Sequence, residues 1–201
     1  MAYHGCIPFM FQKVTRINHP KILEIGVDSG ATYFSLLHFL IMTQESFLLA
    51  GIDIKIKDTV KIQSHYFVKG DDKQYYSLIE ANSLQFLKIE ENFVEFDLIL
   101  VDGDHNYYTV SQELEILHDN YSKVGTTMII DDYHGKWSEK DLFYSEREEG
   151  KDNLLATQKI ETEKHGVKEA VDEFLKNHFE WLIVEPPSDP PGEPIVLERM
   201  C

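Results

Sequence analysis

The sequence predicts a three-layer α/β/α sandwich built on a seven-stranded, mostly parallel sheet with an antiparallel strand near the C-terminus. Short apolar runs rich in β-branched residues recur along the chain, and segments with apolar residues at helical spacing separate them. Runs of this length are typical of strands buried on both faces. Because strands that alternate with helices form parallel sheets covered on both sides, we expect this architecture.

The first half of the chain supplies three predicted strands and three predicted helices. Residues 22–25 and 47–54 are short apolar runs, and between them residues 31–43 carry apolar side chains at helical spacing. Residues 26–30 form the turn between the first strand and this helix. The remaining predictions are a helix over 58–66, a strand over 76–80 and, after an Asn–Ser cap, a helix over 84–89.

The second half supplies the other four strands and two long helices. We predict strands over 97–102, 126–130, 181–184 and 194–197, and helices over 109–121 and 166–177. The last strand follows the proline-rich turn 186–192 and is expected to return antiparallel at or near the sheet edge. Residues 133–165 are polar and weakly periodic, which is typical of a functional lid or a disordered insertion.

Length and charge limit the domain count and the kinds of partner. A chain of 201 residues is long enough for one well-buried α/β domain, so we expect a single domain over 1–201, with residues 1–20 as an N-terminal extension. Acidic residues outnumber basic residues by 35 to 19, for a formal net charge of −16. This charge repels phosphate backbones, which disfavours nucleic acid and anionic membranes as partners. Edge strands leave a homodimer open.

The cysteines and apolar stretches predict a cytoplasmic protein. Cys6 and Cys201 lie far apart in sequence and have no metal-ligand spacing, so two reduced thiols are favoured over a disulfide. Residues 1–13 lack the basic start and apolar core of a signal peptide. The longest apolar stretch, 34–42, is too short to span a bilayer.

Carboxylates follow two of the predicted strands at the point where each strand ends. Asp102 ends one strand, Asp131 and Asp132 end the next, and His105 follows Asp102 by three residues. Because ligands bind beyond the carboxyl ends of strands in open α/β sheets, these side chains are expected to share one crevice. Three carboxylates fit Mg²⁺, Mn²⁺ or Ca²⁺ better than zinc, and an imidazole nearby suits a general base. The alternatives are capping or turn carboxylates and a loop histidine, with His134 as a rival base.

The turn after the first strand indicates a cofactor loop. Glu24, Gly26, Asp28 and Gly30 fall within a strand–turn–helix segment whose backbone N–H groups face the ligand crevice. Glycines there allow a cofactor to approach the main chain, although tight-turn geometry alone is the alternative explanation. The dinucleotide fingerprint G-x-G-x-x-G is not matched, and the two acidic residues suit a cofactor with a positive centre and an ammonium group better than a pyrophosphate.

Asp53 strengthens the cofactor interpretation. It ends the second predicted strand, where an acidic side chain is placed to accept hydrogen bonds from two ribose hydroxyls. The alternative is an Asp that caps a helix or lies at the surface. We favour the ribose interpretation because position and residue type agree.

The ordered motifs resemble those of class I S-adenosylmethionine-dependent methyltransferases, which have a Rossmann-like fold. The motifs are Leu23-Glu24-Ile25-Gly26 with Gly30, Gly51-Ile52-Asp53, Asn82-Ser83, Phe96-Asp97-Leu98-Ile99 and Gly125. The sequences 101–105, 130–133 and 166–174 are similar to those of the macrocin O-methyltransferase-like group, whose members methylate hydroxyls of sugars and natural products with a divalent metal. The resemblance runs from about residue 22 to residue 174.

The resemblance implies a role for individual residues. Glu24, Gly26 and Gly30 would line the methionine end of S-adenosylmethionine, with Asp28 in the same loop, and Asp53 would bind its ribose. Asn82 and Ser83 would lie at the adenine, with Asp102 also beside the cofactor. Asp102, Asp131 and Asp132 match the metal ligands of the group, and His105 matches its general base; Mg²⁺ is the expected ion.

These observations favour an O-methyltransferase acting on a small hydroxylated acceptor such as a sugar or natural product. A divalent cation can hold the hydroxyl and lower its pKa, and an imidazole can accept its proton. Tyr107 and Tyr108 are candidate walls of the pocket or core residues, and Trp137 is a candidate lid residue. The alternatives are a metal-independent methyltransferase acting on nitrogen or carboxyl groups, a non-catalytic cofactor-binding protein and, more remotely, a nicotinamide-dependent dehydrogenase.

Overall fold

One sheet of seven strands forms the centre of the protein. The computed structural model describes residues 5–64, 73–148, 150–184 and 194–201. The strands are β1 (Lys21–Ile25), β2 (Phe47–Asp53), β3 (Gln74–Glu80), β4 (Phe96–Val101), β5 (Ser122–Ile130), β6 (Trp181–Ile183) and β7 (Ile195–Arg199). Their order is β3-β2-β1-β4-β5-β7-β6; β1 to β5 pair in parallel, and β7 runs antiparallel to both β5 and β6. The predicted mostly parallel sheet with an antiparallel C-terminal strand is confirmed.

Helices cover both faces of the sheet, which confirms the three-layer sandwich. In the described residues they are α1 (Ile7–Thr15), α2 (Ala31–Thr43), α3 (Asp58–Ser64), α4 (Ser83–Leu87), α5 (Tyr107–Asn120) and α6 (Gly166–Asn177). The first three pack on one face and the last three on the other. Because α2 follows β1 and α5 follows β4, the chain changes face between these adjacent strands.

Strand β4 shows why its last four residues form a continuous apolar run. All six residues of the strand are buried. Leu98 and Leu100 belong to the core under α1–α3, and Ile99 and Val101 belong to the core under α4–α6. Successive side chains of a strand point to opposite faces, so consecutive positions are apolar where both faces are covered.

Several helix boundaries differ from the sequence predictions. Helix α1 was not predicted; it lies in the N-terminal extension, with a Pro in its first turn and Met10 and Val14 buried four residues apart. Helix α5 begins two residues earlier than predicted because Asn106 caps it by accepting a hydrogen bond from the Thr109 N–H at 2.8 Å. Helix α4 ends at Leu87, two residues before the predicted end, and a short 3₁₀ turn follows it.

Two predictions fall partly or wholly outside the described residues. The helix predicted over 58–66 is observed over Asp58–Ser64, and residues 65 and 66 are not described. The proline-rich turn 186–192 also lies outside the described residues. The strand after it, β7, lies between β5 and β6, so that β6 forms the outer edge. None of the helices in the described ranges has the length and apolar content needed to cross a membrane.

Candidate functional site

A cavity of about 490 Å³ opens at the carboxyl ends of β1 and β4. The helices that follow these two strands cover opposite faces of the sheet, so their connecting loops diverge and leave a crevice, the usual ligand position in such sheets. Three regions line the cavity. They are the strand-end loops (Ile25, Gly26, Asp28, Ile52, Asp53, Ile54, Lys55, Lys57, Asp102, Gly103, Asp104), the start of α4 (Ala81, Asn82, Ser83) and a distant segment (Tyr144, Arg147, Gly150, Asn153, Thr157).

Gly26 makes the closest approach between the two strand-end loops. Its φ is +87°, and a Cβ at this position would lie 1.9 Å from the Asp102 carbonyl oxygen. A side chain is therefore excluded by both conformation and space. Gly30 has a different place: it precedes α2, a Cβ there would meet the Phe34 ring at 2.6 Å, and it does not line the cavity.

Asp53 ties the cofactor loop to the end of β2. One carboxylate oxygen, Oδ2, accepts hydrogen bonds from the Val27 and Asp28 N–H groups, each at 2.9 Å. The other, Oδ1, accepts from the Lys55 N–H at 2.9 Å. A carboxylate has about four acceptor positions, so Asp53 keeps acceptor capacity toward the cavity. Asp28 lies at the rim, where its side chain forms an ion pair with Lys57.

Glu24 lies inside the sheet and does not line the cavity. It is 2 % exposed, and its Oε2 atom has no hydrogen-bond partner among the described residues. Burial raises the pKa of its carboxyl well above the ordinary value, and the nearby Asp53 charge raises it further. Glu24 therefore lies beneath the cofactor loop as a buried carboxyl group.

Asn82 and Ser83 join the start of α4 to two other parts of the chain. Asn82 Oδ1 caps α4 by accepting from the Gln85 N–H at 3.0 Å, and its Nδ2 donates to the Leu155 carbonyl at 2.8 Å. Ser83 Oγ donates to Glu113 Oε1 at 2.5 Å. Both residues line the cavity, as the predicted adenine position requires.

Sequence analysis missed Glu113, a fully buried carboxyl group behind Ser83. It lies on α5 within the apolar stripe formed by Val110, Leu114 and Leu117. A charged residue inside an apolar helix face is a signal that could have identified it. Burial raises the pKa of the Glu113 carboxyl to about 8, although the hydrogen bond from Ser83 acts to lower this pKa.

We expect Glu113 to make the protein less stable as pH rises. The folded state holds the proton between about pH 4.5 and 8, where the unfolded carboxyl has lost it, so stability is full below this range and declines through it. The free energy of unfolding falls by at most about 5 kcal/mol over this pH range. Glu113→Gln should flatten the dependence of the unfolding free energy on pH, measured by urea titration, whereas Glu91→Gln on an exposed turn should not. An equal decline in E113Q and wild type would contradict this assignment.

Asp102 lines the cavity, and His105 and Asp131, which do not line it, lie next to Asp102. One potential ligand atom from each lies within 4.8 Å of the others. His105 Nε2 is 3.6 Å from Asp102 Oδ1. Asp132, also predicted as a ligand, is not part of this group: its Oδ2 is 3.4 Å from His105 Nδ1, on the opposite side of the ring. Its backbone φ of +56° turns the chain at this point.

Carboxyl groups crowd around Asp102. Burial raises the pKa of Asp102 to about 10, and Asp131, Glu24 and Asp132 add to the effect. In the described part of the chain, neither Asp102 nor Asp132 forms an ion pair with a lysine or arginine. Burial lowers the pKa of His105 although Asp132 opposes it, so the ring is held neutral with a lone pair for a proton or a metal.

The described residues of the predicted lid segment, 133–165, fold across the cavity. Leu142 N–H donates to the His105 carbonyl at 2.8 Å, and Tyr144 N–H donates to Asp104 Oδ1 at 3.0 Å. Asn153 Nδ2 donates to the Ile54 carbonyl at 2.9 Å. Together with the Asn82 contact, these bonds fix the segment to three strand ends.

The other candidate residues lie away from the cavity lining. Trp137 packs between Lys136 and Lys140, and its carbonyl accepts from the N–H of Val167 in α6. Tyr107 begins α5 and hydrogen-bonds Glu173, and Tyr108 follows it. His134 is exposed beside the Tyr133 ring.

Comparison with known proteins agrees with this geometry. The sequence over residues 23–133 matches a family model described as a methyltransferase domain. No curated protein sequence matches the chain.

Solved structures of methyltransferases are similar in fold. The S-adenosylhomocysteine-bound methyltransferase PaMTH1 of Podospora anserina is 15% identical, with a TM-score of 0.57, over 97% of this chain and 77% of that one. A putative methylase of Haemophilus influenzae is 15% identical, with a TM-score of 0.56, over 97% and 88%. CalS11, a TDP-rhamnose 3′-O-methyltransferase of calicheamicin biosynthesis, is 14% identical, with a TM-score of 0.57, over 96% and 76%.

These structures are similar to this chain in overall fold, which in this chain is a mostly parallel sheet whose strand order switches between β1 and β4. The family match includes β1 to β5 and every strand-end loop of the candidate site. Because this match spans more than half of the chain, the chain belongs to the methyltransferase-domain family, and the predicted S-adenosylmethionine-dependent methyltransferase is confirmed at the level of family and fold.

Proposed function

We propose that the protein is a divalent-metal-dependent O-methyltransferase that uses S-adenosylmethionine and acts on a small hydroxylated acceptor, as in the macrocin O-methyltransferase-like group. The observation that carries the proposal is the convergence of His105 and Asp131 on Asp102, which lines the cavity. Carboxylates, an imidazole and a cofactor-sized cavity are the parts that methyl transfer to an alcohol requires.

The cavity suits S-adenosylmethionine in size and in polar groups. Its volume falls in the range of about 300–1,000 Å³ usual for small-molecule sites. Gly26 lines the cavity after β1, Asp53 offers acceptor capacity for ribose hydroxyls, and Asn82 and Ser83 line it at the start of α4. The fold relative from Podospora anserina, solved with S-adenosylhomocysteine, supports the same cofactor class.

The residues present fit a divalent cation. Asp102 and Asp131 supply hard oxygen donors of the kind that Mg²⁺ prefers, and a cation would compensate the charge of these crowded carboxyl groups when they lose their protons. Asp102 and Asp131 would hold the ion, with His105 close enough to be a third ligand. When bound, a divalent cation lowers the pKa of a coordinated hydroxyl.

His105 is placed to accept the acceptor's proton. Its Nδ1 faces Asp132, which orients the ring and would stabilise the imidazolium formed, and its Nε2 faces the Asp102 side of the site. Asp132 therefore serves as a carboxylate that orients His105 rather than as a metal ligand. S-adenosylmethionine supplies the methyl group that the deprotonated oxygen receives.

The lid segment supports this chemistry by excluding water. Tyr144 lies over the site, with its ring centroid 6.5 Å from that of His105, and its N–H bond to Asp104 holds it there. A covered site strengthens the charge interactions that favour alkoxide formation.

The test is calorimetric titration with S-adenosylhomocysteine, with and without Mg²⁺, against NAD as a control. We expect binding of S-adenosylhomocysteine and none of NAD. Methyl transfer from S-adenosylmethionine to hydroxylated sugars and catechols should then require Mg²⁺ and stop in EDTA. Transfer that persists in EDTA would favour a metal-independent enzyme, and binding without transfer to any acceptor would favour a non-catalytic protein. No binding of S-adenosylhomocysteine would overturn the proposal.

A further inference from the structure

One cation that lines the cavity has no carboxylate partner among the described residues. Arg147 follows the 3₁₀ turn Tyr144–Glu146 in the lid segment and lines the cavity. Its guanidinium carbon lies 5.7 Å from the centroid of the Tyr144 ring. Across the described ranges of the chain, no carboxylate forms an ion pair with Arg147.

This is unusual because the chain is so acidic. With 35 acidic residues against 19 basic ones, a basic side chain has many potential partners. The neighbours of Arg147 show this: Glu146 pairs with Lys159 at 3.4 Å, and Glu148 pairs with Lys151 at 2.6 Å. Both adjacent carboxylates are thus satisfied by lysines that do not line the cavity, and Arg147 is left at its mouth.

The other cations of the cavity lie at the cofactor loop. Lys57 is paired with Asp28, and Lys55 lies two residues after Asp53, at the proposed ribose position. Arg147 differs because Tyr144 connects it to the reaction centre. The centroid of the Tyr144 ring lies 5.7 Å from the guanidinium carbon of Arg147 and 6.5 Å from the centroid of the His105 ring.

We propose that Arg147 binds an anionic group of the methyl acceptor, a carboxylate or phosphate separated from the reacting hydroxyl by about the width of one ring. The inference rests on the proposed function, because His105 marks where the hydroxyl lies. A guanidinium forms paired hydrogen bonds with both anions, and stacking on an aromatic face holds its plane. An anionic acceptor would also be repelled by the protein's net charge, so a local cation is needed to bind it.

The experiment compares two probes that differ only in charge. Wild-type protein saturated with S-adenosylhomocysteine and Mg²⁺ is titrated with 3,4-dihydroxybenzoate and with its neutral amide, 3,4-dihydroxybenzamide. We expect the anionic probe to bind about tenfold more tightly, since one charge-assisted contact at a partly exposed site gives a difference of that order. Arg147→Gln should abolish the preference, and Arg147→Lys should retain part of it.

Two controls separate this inference from the proposed function. Arg16→Gln removes the same charge at the end of α1, away from the cavity, and should keep the wild-type preference. The affinity for S-adenosylhomocysteine should be unchanged in R147Q; an equal loss there would mean that Arg147 holds the cofactor's carboxylate, and would overturn the proposal. Equal or undetectable binding of both probes to wild type would also overturn it. Failure of S-adenosylhomocysteine to bind at all would instead refute the proposed function.

Discussion

Replacing Asp131 with Asn is expected to lower Mg²⁺-stimulated methyl transfer by about a thousandfold or more while leaving S-adenosylhomocysteine binding close to wild type. The substitution keeps the shape of the side chain but removes one of two carboxylates proposed to hold the cation. Loss of several kcal/mol of transition-state stabilisation corresponds to a rate change of ~10³. Initial rates over a range of Mg²⁺ concentrations, with calorimetry for the cofactor product, would measure both quantities.

Asp119→Asn is the matched control, because it removes the same charge from the exposed C-terminal end of α5. Wild-type activity of D131N in EDTA would refute the metal assignment. His105→Gln then separates the two roles open to that residue. If His105 is only a base, the variant should bind Mg²⁺ as tightly as the wild type. If His105 is a third ligand, the variant should bind Mg²⁺ more weakly.

Replacing Gly26 with Ala should weaken S-adenosylhomocysteine binding by about a hundredfold or more and destabilise the fold. The new Cβ would overlap the Asp102 carbonyl, so the loops after β1 and β4 would have to separate. That displacement would move both the cofactor loop and the first proposed metal ligand. Calorimetry and urea unfolding of the same protein would show the two effects.

Gly125→Ala is the control for backbone conformation alone. Gly125 has a φ of +88°, almost equal to that of Gly26, but a Cβ there would meet no atom within 4 Å. Its substitution should cost about 1 kcal/mol of stability and leave cofactor binding unchanged. If both variants lose the same stability and bind S-adenosylhomocysteine equally well, the close contact between Gly26 and Asp102 is not required for cofactor binding.

Elements with a local signature were predicted well from the sequence. Helix α2 and helix α6 were predicted to the residue, and β4 to within one residue. The signals for these elements, apolar residues at helical spacing and carboxylates at a strand end, lie within a short stretch of sequence. Helix α1 was missed because its buried face has few residues and its neighbours carry no strong pattern. Strand β5 begins four residues before its predicted start, since its first part is polar.

Features that depend on contacts distant in sequence were beyond prediction. The bond between Asn82 and Leu155 joins residues 73 positions apart, and no local pattern specifies it. Arg147 lies between Glu146 and Glu148 in the sequence, and only the fold brings it to the cavity. The division of the strand-end carboxylates, with Asp131 beside Asp102 and Asp132 behind His105, depends on the backbone turn at Asp132.

The order of the last two strands has a consequence for folding during synthesis. Strand β6 is hydrogen-bonded in the described sheet only through β7, which comes later in the chain and takes the place beside β5. Until residues 195–199 have left the ribosome, the outer edge of β5 is unpaired. During that time β6 also lacks the strand through which it binds to the sheet. An uncovered strand edge is a site for misassociation between nascent chains. The nascent protein therefore passes through a stage in which most of its proposed catalytic residues have been made but the strand that carries Asp131 and Asp132 at its end still lacks its neighbour.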